Sequence, residues 1–180
     1  MTANITVIFP GQGSQSIGML AELAEHYPLV TQIFAEASSV LGYDLWALCQ
    51  QGPAEQLNET QYTQPALLTA GVAVWRVLQQ QSSIQPRYMA GHSLGEYTAL
   101  VCANALDFLT AVKLVEKRGQ LMQQAVPVGE GAMAAILGLD NNVVQQVCEQ
   151  THGEVSIANF NALGQVVIAG NKSAVEQAIV

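Results

Sequence analysis

The stretch Gly91-His92-Ser93-Leu94-Gly95 restricts what this chain can fold into more than any other. A Gly-X-Ser-X-Gly run between a strand and a helix is the pattern of a nucleophile elbow, a sharp turn that presents a serine at the strand's carboxyl end. Both flanks fit. Arg87-Tyr88-Met89-Ala90 follows Pro86 as a strand can follow a loop, and Leu94 to Ala105 is rich in Ala and Leu with no glycine after Gly95. Such a turn strains the serine's backbone and brings neighbouring chain so close that a Cβ would clash, which is what the glycines relieve. A serine there faces free backbone N–H groups and the positive end of the helix dipole, and both favour a developing oxyanion. Three fixed residues in five also occur by chance, so the rest of the chain has to agree.

Ile5-Thr6-Val7-Ile8-Phe9, stopped by Pro10, predicts a buried strand, parallel and central. Pro10-Gly11-Gln12-Gly13-Ser14-Gln15 follows at the carboxyl end, where ligands bind in open α/β sheets. It lacks the Gly-Lys-Ser/Thr of a P-loop and the spacing of a dinucleotide fingerprint, so by itself it reads equally as a structural turn or a functional loop. Met19 to Gln50 is helical in pattern, broken at Pro28. A second helix there carries Ile33, Phe34, Ala37, Val40 and Leu41 and ends at Gly42. His26 closes the first of these helices, where a base compensates the dipole. Pro53 starts a short helix to Leu57, and Thr63-Gln64-Pro65 opens a longer one over Ala66 to Gln80. Gln64 reads as a helix cap on this pattern alone. Asp107 caps a helix to about Ala125, with Phe108, Ala111, Val115 and Met122 along one face. Arg118 falls on that apolar stripe. Its guanidinium either meets an acidic partner or snorkels to water, and the pattern leaves both open.

Composition changes near Gly129-Glu130-Gly131, which suggests a large domain over 1–129 and a small one over 130–180. In the second, Ala132 to Leu137 reads as a strand and Asp140 caps a helix to Gln150. Val155 to Ala158 and Gln165 to Ala169 read as strands joined by a loop over 159–164, and Ser173 to Val180 as a helix. The order βαββα is that of a ferredoxin-like unit lacking its last strand. His152 beside Gly153 fits a helix end. The fold class is α/β. Half of the 180 residues are apolar, enough for a buried core. A net charge of −8 argues against a general nucleic-acid or membrane surface. Cys49, Cys102 and Cys148 match no metal or disulfide spacing and read as reduced thiols of a cytoplasmic protein. Neither a secretory signal nor a stretch of membrane-spanning length is visible.

Phe9-Pro10-Gly11-Gln12-Gly13-Ser14-Gln15 together with Gly91-His92-Ser93-Leu94-Gly95-Glu96-Tyr97 resembles the malonyl-CoA:acyl carrier protein transacylase family. Tyr43-Asp44-Leu45-Trp46, Thr63-Gln64-Pro65-Ala66-Leu67, Val115-Glu116-Lys117-Arg118-Gly119 and Gly164-Gln165-Val166-Val167-Ile168-Ala169-Gly170 also resemble that family's stretches. The resemblance runs the length of the chain and corresponds to the N-terminal portion of the family enzyme. It implies an α/β-hydrolase-like parallel sheet domain with an inserted ferredoxin-like small domain, incomplete in this chain.

The same resemblance implies Ser93 as the nucleophile, the backbone N–H groups of Gln12 and Leu94 as the oxyanion hole, and Arg118 as the grip on the malonyl carboxylate. Gln64 then belongs to the substrate site. His92 is counted with it, and its place beside Ser93 on a tight turn reads as fixing the elbow by hydrogen bonding. Malonyl-CoA is the substrate and acyl carrier protein the partner, in fatty-acid biosynthesis, with no metal and no cofactor beyond the substrate itself. A serine hydroxyl needs a base to take its proton. His92 is adjacent to Ser93 and diverges from it, and the family's base histidine is expected beyond residue 180, so the isolated chain is expected to be impaired. Two other readings stay open: a general serine esterase, and a non-catalytic fragment that binds acyl carrier protein.

Overall fold

The computed structural model describes residues 5–126 and 129–180. The chain divides into two compact units, 1–123 and 124–180. The division falls near the end of a helix, ahead of the glycines to which the composition change points.

The first unit runs β1 (Thr6–Phe9), α1 (Ala21–His26), α2 (Leu29–Leu41), α3 (Leu45–Gln51), α4 (Ala54–Leu57), α5 (Thr60–Gln81), β2 (Tyr88–Gly91), α6 (Leu94–Cys102) and most of α7 (Phe108–Ala125). β1 and β2 pair in parallel, from Thr6 opposite Tyr88 to Phe9 opposite Gly91. Parallel strands need a long crossover, here made by the helices from α1 to α5. The register ends both strands level, so the Pro10–Gln15 loop and the turn after Gly91 leave the sheet side by side.

One face of this pair, carrying Val7, Phe9 and Met89, packs on the helical core. The other is bare: Ile8 is 75% and Tyr88 58% exposed. β1 is therefore parallel as expected but not buried on both faces. Among the described residues no third strand joins it. An unbroken apolar run records what residues can bury, not what lies against them.

The core beneath the sheet follows helical spacing. α2 buries Val30, Ile33, Phe34 and Ala37, the i, i+3, i+4, i+7 stripe of a half-buried helix, and ends on Gly42 at a φ of 81°. Phe34 meets the Trp46 ring edge-on with centroids 4.9 Å apart. Full burial of a side chain this size stabilises by about 1.5–3 kcal/mol, so this stripe outweighs any propensity difference within α2. α5 starts earlier than expected, at Thr60, which places Pro65 inside the helix. The missing donor leaves the Gln61 carbonyl without its helical partner. Burial of every residue from Thr63 to Ala70 outweighs that loss. α7 begins where its cap predicts: Asp107 Oδ2 accepts from both the N–H and the hydroxyl of Thr110, each at 2.9 Å. Phe108, Ala111 and Val115 are buried, but Met122, expected on the same buried face, is 48% exposed.

The second unit holds β3 (Gly131–Leu137), α8 (Asn141–Gln150), β4 (Val155–Ala162), β5 (Gln165–Asn171) and α9 (Lys172–Ala178). Its antiparallel sheet has the order β3-β5-β4. Val166 and Ile168 on β5 pack with Val144, Cys148 and Val175 from the two helices. Met133, Leu137 and Phe160 lie on the solvated face. β4 runs on to Ala162, through residues expected to form a loop. Register shifts between Ile157 and Asn159 and between Phe160 and Ala162 break its alternation, which hides the strand from a period-two reading. Among the described residues no helix is long and apolar enough to cross a membrane.

Candidate active site

Ser93 sits between β2 and α6 at φ 54° and ψ −112°, a region that a non-glycine residue enters only under constraint. The constraint is the turn itself. A Cβ on Gly91 would run into the Gly95 carbonyl, and one on Gly95 would strike the Phe9 carbonyl oxygen. The elbow therefore closes tightly on itself and against the end of β1. The loop after β1 also comes near, though less tightly, since a Cβ on Gly11 would lie 3.2 Å from the His92 carbonyl oxygen.

That loop is pinned from several sides. Gln12 Nε2 donates to Thr60 Oγ1 at 3.2 Å, Ser14 Oγ to the Gly11 carbonyl at 2.9 Å, and Gln15 Nε2 to Asn58 Oδ1 at 2.8 Å. Leu94 opens α6, so its N–H has no helical acceptor. Among the described residues the backbone N–H of Gln12 has no acceptor either. Two free amides thus flank the turn that carries the serine.

Arg118 completes the arrangement. Its Nη2 donates to Ser93 Oγ at 3.0 Å and its Nη1 to Gln64 Oε1 at 2.7 Å, and its guanidinium carbon lies 5.6 Å from the centre of the Tyr97 ring. Gln64 is fully buried, and its Nε2 donates to Met122 Sδ at 3.3 Å. α7 can approach α5 this closely because Gly119 faces it, where a Cβ would stand 2.6 Å from Gln61 Cα. Among the described residues no carboxylate lies within 4 Å of Arg118. Both acceptors in its fork are neutral, so of the two possibilities left open by the pattern, an internal acidic partner is absent.

The structure brings Ser93, Arg118 and Gln64 together in one chain of hydrogen bonds, with Gln12 and Leu94 on the adjoining backbone. Gln64 is an interior helix residue and not a cap. His92 is exposed, and its ring makes no hydrogen bond among the described residues, so it does not fix the elbow in the way expected. Tyr97 and Met122 were not foreseen as part of the site. Their signal was one-turn spacing, Tyr97 four residues after Ser93 and Met122 four after Arg118. The cysteines take no part: all are buried and free, and burial pushes the Cys49 and Cys102 thiols up to about 12. Burial, with the nearby Glu116 carboxyl second, also raises Tyr43, whose hydroxyl is buried without a partner.

A mixed α/β chain with a strained serine between strand and helix, gripped by an arginine, defines a class of serine-bearing α/β proteins. Within that class this chain belongs to the acyl transferase domain family, which matches residues 6–180. It is 64% identical over 173 residues to the malonyl CoA-acyl carrier protein transacylase of Salmonella typhimurium, an alignment covering 95% of this chain and 56% of that protein. The Haemophilus influenzae protein of the same name is 62% identical over 175 residues, covering 96% and 56%.

Among solved structures, an acyl carrier protein S-malonyltransferase from Vibrio cholerae matches at 63% identity and a TM-score of 0.92, covering 98% of this chain and 58% of that one. A malonyl-transacylase solved in complex with its type II PKS acyl-carrier protein matches at 60% identity and a TM-score of 0.93, over 98% and 58%. The chain thus spans a little over half the length of these relatives. The family read from the two glycine-flanked motifs is the one these matches show.

Proposed function

We propose that this chain carries the serine and carboxylate-binding parts of a malonyl-CoA:acyl carrier protein transacylase of fatty-acid biosynthesis. Ser93 Oγ attacks the thioester carbonyl of malonyl-CoA, the carbon–sulfur bond breaks, and coenzyme A leaves as its thiol. The phosphopantetheine thiol of acyl carrier protein then attacks the serine ester and regenerates the hydroxyl. The amides of Gln12 and Leu94 hold the oxyanion in both steps. The observation that carries this reading is Arg118, bonded to Ser93 and Gln64 and facing no carboxylate of its own. A planar fork suits a carboxylate bidentately, and an acyl group without one leaves a partly buried charge unpaired. That selectivity disfavours a general esterase. His92, exposed beside Ser93, is read as part of the substrate site.

The relatives' names and the solved complex with an acyl-carrier protein support the substrate and the partner. The thioester is already an activated acyl donor and one thioester is exchanged for another without change of oxidation state, and we propose that no metal or redox cofactor takes part. We read the larger unit as part of an α/β-hydrolase-like domain, the smaller as a ferredoxin-like one, and the site of action as the cytoplasm. Among the described residues no histidine hydrogen-bonds Ser93. The 180-residue polypeptide alone should therefore turn over on the order of 10⁴-fold more slowly than an enzyme whose serine has its base. Incubation with malonyl-CoA followed by intact-mass measurement tests the reading. One malonyl adduct, lost in Ser93→Ala, is expected. No adduct, or one that survives Ser93→Ala, overturns it and favours a binding-only role.

A further inference from the structure

Arg118 and Ser93 are joined before any substrate arrives, and this has a consequence for how the site works. We propose that the Arg118–Ser93 hydrogen bond is a latch that an incoming carboxylate must break, so that one guanidinium both holds the serine back and selects the acid that releases it. The inference rests on the reading above and deepens it.

Three observations support the latch. The donor is a full positive charge, and charge-assisted bonds are the strong ones. The acceptor is the hydroxyl oxygen whose lone pair must attack the carbonyl, so an N–H held on that lone pair blunts it. The remaining contacts of Arg118 hold it in place: Nη1 is fixed on Gln64, which is itself fully buried and tied to Met122, and the Tyr97 ring lies against the guanidinium. Of its two bonded nitrogens, Nη2 is the one on the serine, so a carboxylate that pairs with the Nη2 and Nε side of the fork competes with Ser93 for it. The carboxylate of a three-carbon diacid lies one methylene from the carbonyl that Oγ attacks. It therefore enters the space along the Nη2–Oγ line and takes the N–H from the serine. Binding the acid and freeing the nucleophile become one event. An acyl group without a carboxylate meets a serine still held.

The latch makes a prediction opposite in sign to that of a serine which simply helps bind the acid. If Ser93 competes for Nη2, removing its hydroxyl strengthens carboxylate binding. The experiment is titration of free malonate into the 180-residue chain by calorimetry, comparing wild type, Ser93→Ala and Arg118→Gln. The latch predicts that Ser93→Ala binds malonate tighter, by roughly three- to tenfold given the usual strength of a hydrogen bond to a charged group at a partly exposed site. Arg118→Gln loses that binding. Binding that depends on Arg118 but is equal or weaker in Ser93→Ala overturns the latch and leaves the proposed function standing. Absence of Arg118-dependent binding in wild type and Ser93→Ala alike overturns both. A circular-dichroism melt of each variant confirms that the comparison is between folded chains.

Discussion

The residue that decides the geometry of the site is Gly95. A Cβ there collides with the Phe9 carbonyl oxygen, and both partners are backbone held in packed elements, so neither can give way. Gly95→Ala is expected to cost about 3 kcal/mol or more, read as a drop in the urea midpoint. It should also abolish acylation at Ser93, since the turn cannot close. A second residue-scale effect concerns Glu116, whose carboxyl burial raises above its ordinary value. Burial penalises the charged form in the folded chain, so ionisation of this carboxyl costs stability. That penalty is present above the folded value, fades as pH falls through it and is gone below the unfolded value. Glu116→Gln is therefore expected to raise the melting temperature at pH 7 and to leave it nearly unchanged near pH 4. An equal gain at both pH values would assign the effect to packing instead.

At the scale of elements, the helices were legible where their ends carry chemistry. Asp107, Asp140 and Gly42 mark ends that the structure keeps, because a cap is a local interaction written within four residues. Pro65 misled because a proline favours a first turn locally, while burial along α5 settles the helix start from elsewhere in the fold. Arg118 was legible as an anomaly on an apolar stripe, but its partners were not. Ser93 and Gln64 reach it from the turn before α6 and from α5, 25 and 54 residues away in sequence. The cap of α7 bears on the site, since that helix carries Arg118. Hydrogen bonds from Thr110 hold the Asp107 carboxyl below its ordinary value of 3.8. A lowered carboxyl contributes stability above the unfolded value and loses it as pH falls through the folded one. Thermal melts between pH 7 and pH 3 should show a smaller acid loss in Asp107→Asn, which keeps an acceptor but no charge. A parallel decline in both proteins would show that the cap does not titrate.

For the molecule as a whole, the bare face of the β1–β2 pair is an exposed apolar surface of the first unit. Ile8 and Tyr88 share that face, and sheet surfaces of this kind template association. Sedimentation of the 180-residue chain is expected to show association that grows with concentration, weakened in the Ile8→Lys, Tyr88→Lys double variant. A wild-type chain that stays monomeric throughout would show the face to be tolerated in water. The β-branched run at residues 5–9 announced a strand fit for burial, and the two motifs announced the family. Neither could show which face of the sheet these residues leave open.

The proposed function turns on Arg118, which bonds the strained serine and is proposed to read a carboxylate beside it. The most direct measurement is the ratio of Ser93 acylation rates with malonyl-CoA and acetyl-CoA, followed by intact mass, in wild type and in Arg118→Met. Wild type is expected to favour malonyl-CoA, and the ratio to fall by on the order of 100-fold in Arg118→Met. A ratio unchanged by the substitution would contradict the role of Arg118.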